Sequence, residues 1–170
     1  MKHPDVFSAV YALSGTLEYA ETFLDIRRDE IIEASLVPSW NTFLSPYVKV
    51  HLARAMAFAP NPALSPFMGE LPLDENGTRI DSTWQKWLEH DLYSRLGDYS
   101  DNLNLLNAVC FDCGFDDRAS ISNVNFSGAL SSMGIDHVFE AYDGDHLNKI
   151  PERMATKVLP FFSENLSHSK

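Results

Sequence analysis

The last third of the chain alternates short apolar runs with segments of helical spacing, and this order limits the fold more than any other feature. Residues 105–111 and 138–142 form mainly apolar runs, and each is followed by a polar loop and an amphipathic segment. Short apolar runs are typical of buried strands, and strands that alternate with helices are typical of parallel sheets. The sequence therefore predicts an α/β fold in which helices cover both faces of a parallel sheet.

The first half of the chain adds a strand and a group of helices. The apolar run over residues 6–13 predicts a buried strand, which gives a sheet of about three strands. Apolar residues recur at helical spacing over about residues 24–59, and Asp81 or Ser82 is suited to cap a further helix. Residues 60–82 contain four prolines and an Asn-Gly pair, which indicates a proline-rich loop excursion.

The two helices predicted in the last third have clear boundary signals. The first runs over about residues 121–133, and Gly134 followed by Ile135 is typical of a Schellman motif. Pro151 suits the first turn of the second helix. The sequence shows no repeat and no linker, so residues 1–170 are predicted to belong to one domain, without a second domain.

The charge of the chain excludes several classes of partner. Its 170 residues carry 13 basic and 24 acidic side chains, and the net charge of −11 has the wrong sign for nucleic acid or an anionic membrane. No run approaches the ~18 apolar residues that a membrane span requires. We therefore expect a soluble protein without nucleic-acid or membrane partners, and a cytoplasmic one if residue 1 is the native start.

Most of the negative charge lies between residues 98 and 145. This segment contains nine acidic residues and one basic residue, Arg118, and carries −8 of the net charge of −11. A solvated acidic face explains such a bias, and a functional site is the alternative because several of the acids follow predicted strands. The nine acids are Asp98, Asp101, Asp112, Asp116, Asp117, Asp136, Glu140, Asp143 and Asp145.

Two of the polar loops carry side chains suited to acid–base chemistry. Asp112, Asp116 and Asp117 follow one predicted strand, and His146 follows the next. Neighbouring parallel strands end at the same edge of a sheet, so we expect an acid and the histidine to lie close together. An acid that accepts the Nδ1 proton of a histidine fixes its tautomer and stabilises the imidazolium, as a general base requires. The order of acid and then histidine is that of α/β-hydrolases.

The two cysteines, Cys110 and Cys113, have the C-x-x-C spacing of redox and zinc sites. Zinc requires about four ligands, and the sequence contains no second pair of this spacing. A redox cysteine is expected at the start of a helix, whereas Cys110 ends an apolar run. We therefore expect two structural thiols, one buried in the strand and one in the loop after it.

Five segments of the chain carry a more specific signal. They are HPDVFSAVYALSG, FAPNPALSPFMGELPLDENG, CFDCGFDD, ALSSMGIDHVFEAYDGDHLN and VLPFF. In this order they resemble the C-terminal portion of an esterase family of the α/β-hydrolases, which includes S-formylglutathione hydrolase, feruloyl esterases and enterochelin esterases. The resemblance covers nearly all of the chain. It implies a partial α/β-hydrolase that acts on ester or thioester substrates.

The resemblance also implies which residues take part in catalysis. The acid of the family lies in a G-x-x-D element, which corresponds here to Gly114 followed by Asp117, with Asp116 as the fallback. The histidine lies in a G-x-H element, which corresponds to Gly144 and His146. We expect a small-molecule ester as the substrate, and neither a cofactor nor a metal.

The nucleophile of the family is missing from the sequence. The family carries its serine in a G-x-S-x-G motif, and no such motif occurs in the 170 residues. The resemblance places the serine, the oxyanion-hole donors and the N-terminal strands before residue 1. Loss of the serine costs about six orders of magnitude in kcat. We therefore expect a C-terminal portion that is inactive by itself.

Two residues of the chain are weaker candidates for a nucleophile. Ser14 ends the first predicted strand but lacks the preceding glycine of a nucleophile elbow, and a loop or capping serine is the simpler interpretation. Cys113 lies near the proposed edge, but its acidic neighbours should raise its pKa. Four other histidines are expected to be structural or solvated: His51, His90, His137 and His168.

Two other functions remain open at this point. The chain is alternatively a non-catalytic binding or oligomerisation module, because a truncated sheet would expose residues 6–13 as an edge strand. We expect a homo-oligomer through that edge. The third and weaker possibility is a hydrolase that uses a hard divalent cation. Its ligands would come from Asp112, Asp116, Asp117, Asp143, Asp145 and His146.

Overall fold

Three parallel strands form one sheet in the computed structural model, which describes residues 2–19 and 23–166. The predicted α/β fold, with three parallel strands flanked by helices, is confirmed. In chain order the elements are β1 (Ala9–Leu13), α1 (Phe23–Ser35), α2 (Pro46–Phe58), α3 (Asp81–Leu88), α4 (Leu96–Asn104), β2 (Ala108–Gly114), α5 (Ser120–Ser132), β3 (Val138–Tyr142), α6 (Ile150–Arg153), a π-helical turn (Met154–Val158) and α7 (Leu159–Asn165).

The central strand of the sheet is β2, with β1 on one side and β3 on the other. Phe111 of β2 packs against Phe126 of α5, with 5.5 Å between the ring centroids. Successive side chains of a strand point to opposite faces, so Asp112 lies on the other face, where it bonds with Arg153 of α6. Helices therefore cover both faces of β2.

The chain divides into two compact units. The sheet unit comprises Met1–Glu18 and Arg95–Lys170, and the helical unit comprises Tyr19–Ser94. Within the described ranges, no helix is long and apolar enough to cross a membrane. The expectation that residues 1–170 form a single hydrolase portion stays a prediction.

The helical unit is held together by an apolar cluster that includes Ile31 of α1, Ala55 of α2 and Trp87 of α3. Between α2 and α3 the chain forms no helix or strand, only two isolated bridges, in agreement with the predicted loop excursion. The predicted cap of α3 was wrong. The helix begins at Asp81 itself, whose carboxylate accepts a 2.6 Å hydrogen bond from Arg79 instead of capping the first turn.

The boundaries of two strands differ from the prediction. β1 begins at Ala9 and not at residue 6, because the residues before it form a turn in which the Val6 N–H donates to the His3 carbonyl. β2 covers Ala108–Gly114 and not 105–111. Leu105 is instead the C-cap residue of α4, a helix that was not predicted from the sequence.

The expectation of one buried and one loop thiol was therefore wrong. Cys110 and Cys113 both lie within β2, and both are buried, free thiols. The strand continues through Asp112 and Cys113 because the fold supplies a buried partner for the Asp112 carboxylate. A prediction that assigns aspartate to loops therefore ends β2 too early, at Phe111 instead of Gly114.

The end of α5 agrees with the prediction. Gly134 has a φ of +69°, a conformation that glycine adopts without steric cost. Its N–H donates to the Ser131 carbonyl at 3.1 Å, and the Ile135 N–H donates to the Leu130 carbonyl at 3.0 Å. These two bonds are those of a Schellman motif, and they direct the chain from α5 into β3.

A buried ion pair joins the last helical segment to the centre of the sheet. The Arg153 guanidinium donates from Nε and from a terminal nitrogen to Asp112 Oδ2, at 2.9 and 2.6 Å. The side chain of Asp112 is 0% exposed and that of Arg153 is 6% exposed. Two charges removed from water in this way require close pairing, since each is costly to bury alone.

Side chains from all three strands complete the surroundings of Arg153. The Tyr11 hydroxyl of β1 donates to Asp112 Oδ2 at 2.5 Å, and Arg153 donates to Glu140 of β3 at 2.8 Å. The centroid of the Tyr142 ring lies 4.6 Å from the guanidinium carbon of Arg153. Hydrogen bonds from Arg153 and Lys157 lower the pKa of Glu140 to about 2. The guanidinium group of Arg153 thus contacts side chains of all three strands.

We predict that Arg153→Met lowers the free energy of unfolding by about 3 to 5 kcal/mol, because it leaves the Asp112 charge buried without a partner. Urea unfolding measures the loss. The matched control is Lys157→Met in the adjoining turn, which removes a 44% exposed ion pair with Glu140 and should cost no more than about 1 kcal/mol. Equal losses in the two variants would contradict the prediction.

Candidate active site

The carboxyl ends of β2 and β3 bring one predicted acid against the predicted histidine. Asp117 follows the end of β2 by three residues, and His146 follows the end of β3 by four. The two strands are parallel neighbours, so both loops leave the same edge of the sheet. The His146 Nδ1 atom lies 2.8 Å from Asp117 Oδ2.

Asp117 is held from several sides. Its side chain is 3% exposed, and its Oδ1 accepts a 2.8 Å hydrogen bond from the backbone N–H of Ala119. Its own N–H donates to the Gly114 carbonyl at 3.1 Å, and its carbonyl accepts from Ser120, the first residue of α5. The carboxylate therefore sits in a tight turn between β2 and α5, with one oxygen directed to His146.

Backbone contacts join the loop that carries Asp117 to the loop that carries His146. The Phe115 N–H donates to the Tyr142 carbonyl at 2.8 Å, and the Asp116 N–H donates to the Gly144 carbonyl at 3.0 Å. A Cβ atom at Gly114 would lie 2.1 Å from the Gly144 carbonyl oxygen, so only glycine fits at this position. The pairing of β2 with β3 thus continues beyond the strands and sets the distance between the acid and the histidine.

His146 lies on the exposed side of the pair, with 55% of its side chain accessible. Its loop is shaped by Asp145, whose Oδ1 accepts from the N–H groups of Leu147 and Asn148 at 2.7 and 2.8 Å. These two bonds lower the pKa of Asp145 below its ordinary value. Because Asp117 accepts at Nδ1, the neutral ring carries its proton there and Nε2 is left as a base.

The structure distinguishes the two predicted acids by position. Asp117 is buried and bonds with His146, whereas Asp116 is exposed and contacts the histidine loop through its backbone N–H. The turn from Gly114 to Asp117 accounts for the difference, because it directs consecutive side chains to different sides.

The two weaker nucleophile candidates are buried at the same edge. Ser14 is 5% exposed, and its Oγ lies 3.2 Å from the Tyr142 hydroxyl. Cys113 is 1% exposed, and burial raises the pKa of its thiol to about 12, with a further contribution from the Asp117 charge. Among the hydrogen bonds of the described residues, none joins His146 to Ser14 or Cys113.

The remaining polar residues of the predicted sites lie elsewhere. In the part of the chain that the structure describes, no group of three or more His, Cys, Asp or Glu residues is arranged to hold a metal ion. His51 is buried, bonds with Glu30 at 3.1 Å, and has a pKa lowered by burial to about 4. His90 and His137 stack on aromatic rings, and His168 lies outside the described residues.

An apolar pocket of about 220 Å³ lies beside the end of β2. It is formed by the start of α5 and by one face of β3, and no pattern in the sequence predicts it. The lining residues are Cys113, Gly114, Phe115, Ser120, Ile121, Val124, Asn125, Phe139 and Ala141.

Comparisons with known proteins find structural similarity to an esterase. No family model matches the sequence, and no curated protein matches it. Among solved structures, a ferulic acid esterase is similar at a TM-score of 0.50 and 21% sequence identity. The match covers 97% of this chain and 45% of that esterase, so the chain spans less than half of the length of this structural neighbour. At this identity the similarity supports an esterase-like α/β fold.

We predict that Gly114→Ala lowers the free energy of unfolding by about 2 kcal/mol or more, because the added methyl group would overlap a backbone carbonyl. Thermal and urea unfolding measure the loss. Gly128→Ala in α5 is the control, since a Cβ there meets no atom within 4 Å and alanine favours a helix by up to about 1 kcal/mol. The two substitutions should therefore have opposite signs, and a neutral Gly114→Ala would disprove the close approach.

Proposed function

We propose that this chain supplies the acid and the base of a serine-esterase triad, Asp117 and His146, for the hydrolysis of an ester or thioester. The observation that carries the proposal is the 2.8 Å bond from an exposed histidine to a buried aspartate at the ends of neighbouring parallel strands. The nucleophile would come from outside the 170 residues, which contain no G-x-S-x-G motif.

Each group has a defined part in the proposed reaction. Nε2 of His146 takes the proton of the serine hydroxyl as that oxygen attacks the acyl carbon. The Asp117 carboxylate stays ionised and stabilises the imidazolium that forms. The imidazolium then gives the proton to the departing alkoxide or thiolate, which leaves an acyl-enzyme. The same nitrogen activates the water that releases the acid product.

The ester class is supported by two features that point the same way. The chain order of acid and then histidine is that of α/β-hydrolases, and their spacing places both at one edge of the sheet. A structurally similar protein is named a ferulic acid esterase.

We predict that the 170-residue chain becomes active on a short-chain aryl ester only when it is mixed with the polypeptide encoded immediately upstream. In that mixture His146→Ala should lower kcat by about 10⁴-fold or more, and Asp117→Asn by about 10⁴-fold. Asp116→Asn is the matched control and should leave kcat within about two-fold. Release of the aryl alcohol is followed spectrophotometrically.

Three results would overturn this proposal. A well-folded mixture without esterase activity would exclude the reconstitution, and activity that survives His146→Ala would exclude the histidine as the base. An upstream sequence without G-x-S-x-G would remove the source of the nucleophile. If Asp116→Asn were the damaging substitution, the acid would be the fallback residue.

A second candidate function is that of a non-catalytic binding or oligomerisation module. The exposed edge strand β1 favours this function. In the described sheet β1 has a neighbour on one side only, and its Val10 is 39% exposed. Val6 and Phe7, two to three residues before its start, are also exposed. Unpaired strand edges flanked by exposed apolar side chains favour pairing with another chain.

We predict that the isolated chain forms a dimer or larger oligomer through β1, measured as molar mass by light scattering over a range of concentrations. Val10→Lys should shift the mass to that of a monomer, because a charged side chain opposes edge pairing. Val138→Lys on the opposite edge, at a side chain that is 60% exposed, is the control and should not change the mass. A stable monomer at high concentration would contradict the prediction.

A further inference from the structure

Ser14 has a left-handed backbone conformation at the end of β1. Its φ is +51°, in a region that most residues other than glycine rarely adopt. Its N–H donates to the Asp112 carbonyl at 2.9 Å, so the ladder between β1 and β2 continues to this residue. Such conformations are retained where the surrounding contacts require them, so we expect a contact of the Ser14 side chain to account for this one.

The left-handed conformation directs the Ser14 side chain toward β3. In a regular strand, Ser14 and Leu13 would point to opposite faces of the sheet. Leu13 pairs with Asp112 of β2. Tyr142 pairs with Gly114, two residues further along β2, and therefore lies on the same face as Leu13. The turn at Ser14 brings its side chain back to that face, where its hydroxyl lies 3.2 Å from the Tyr142 hydroxyl.

The contact between these two hydroxyl groups joins the outer strands across the central one. β1 and β3 lie on either side of β2, so about 10 Å separates them. The tyrosine side chain crosses this distance at Gly114, which has no side chain to obstruct it. A second contact holds the ring itself, because the Arg153 guanidinium carbon lies 4.6 Å from its centroid. The orientation of Tyr142 is therefore fixed at both its hydroxyl and its ring.

Tyr142 contacts both loops of the candidate site. Its carbonyl accepts the Phe115 N–H at 2.8 Å, in the loop that carries Asp117. Its ring packs against the other loop, since a Cβ atom at Gly144 would lie 3.0 Å from the ring carbon Cε2. Gly144 precedes His146 by two residues. The backbone of Tyr142 thus holds the acid loop, and its ring supports the histidine loop.

We propose that Tyr142 is a positioning residue of the acid–base pair: its ring, fixed by the contact with Ser14 across β2, holds the histidine loop against the acid loop. The inference rests on the proposed function of Asp117 and His146. Without the hydroxyl contact the ring turns more freely, and its support of the histidine loop weakens. The bond between Asp117 Oδ2 and His146 Nδ1 is then made less often, and the Nδ1–H tautomer of the imidazole loses its acceptor.

The tautomer of His146 tests the proposal in the 170-residue chain. Long-range ¹H–¹⁵N spectra report the populations of the Nδ1–H and Nε2–H forms, and His146→Gln assigns the signals. Tyr142→Phe removes only the hydroxyl and should raise the Nε2–H population about two-fold or more. Ser14→Ala removes the other hydroxyl and should have the same effect. The double variant should show no further rise, because both substitutions break one contact.

The matched control is Tyr11→Phe, which also removes one hydroxyl from the sheet. The Tyr11 hydroxyl donates to Asp112 Oδ2 at 2.5 Å, away from both loops of the site. Its loss should lower the midpoint of urea unfolding, because a buried carboxylate loses a donor, and should leave the tautomer populations of His146 unchanged. The control therefore separates a general loss of stability from a change in the position of the histidine.

The proposal fails on any of three outcomes. The first is an unchanged tautomer population in Tyr142→Phe or in Ser14→Ala. The second is an additive rise in the double variant, which would show that the two hydroxyl groups do not act through one contact. The third is a change in Tyr11→Phe as large as that in Tyr142→Phe. None of these spectra involves ester hydrolysis, so an inactive reconstituted mixture would overturn the proposed function while leaving the positioning result intact.

Discussion

The buried ion pair between Asp112 and Arg153 is the interaction on which the rest of the sheet unit depends. A carboxylate in the middle of a sheet is stable only when a cation reaches it, and the cation comes from a helix 41 residues further along the chain. The pair fixes that helix on one face of the sheet, and the same guanidinium contacts side chains of the two outer strands. It also allows β2 to continue through Asp112 to Gly114.

The position of the candidate site follows from that continuation. Because β2 ends at Gly114, the turn after it begins where β3 also ends, and the close approach of Gly114 to Gly144 joins the two loops. Asp117 and His146 then meet through short loops anchored by backbone hydrogen bonds. Acid–base catalysis requires such fixed distances, since a carboxylate directs an imidazole only within hydrogen-bonding range.

Much of the architecture could be predicted because it depends on local patterns. The bounds of β3, the extent of α5 and its Schellman end follow from apolar spacing and one glycine. The bounds of β2 could not be predicted, because Asp112 is stabilised within the strand by Arg153, which is distant in sequence. α4 was missed because only Leu96 and Leu103 of its nine residues are buried, which gives a weak apolar pattern. The left-handed backbone conformation of Ser14, with a φ of +51°, has no sequence signal of its own.

The sequence by itself determined that the chain is an α/β protein, that an acid and a histidine follow neighbouring parallel strands, and that no G-x-S-x-G serine lies among the 170 residues. These conclusions rest on the order and spacing of residues in the sequence, which do not depend on how the side chains pack. Only the tertiary structure decided that Asp117 and not Asp116 faces His146, and that Cys113 is buried within β2. The reason is that one residue of register changes the direction of a side chain, and register is set by contacts between distant parts of the chain.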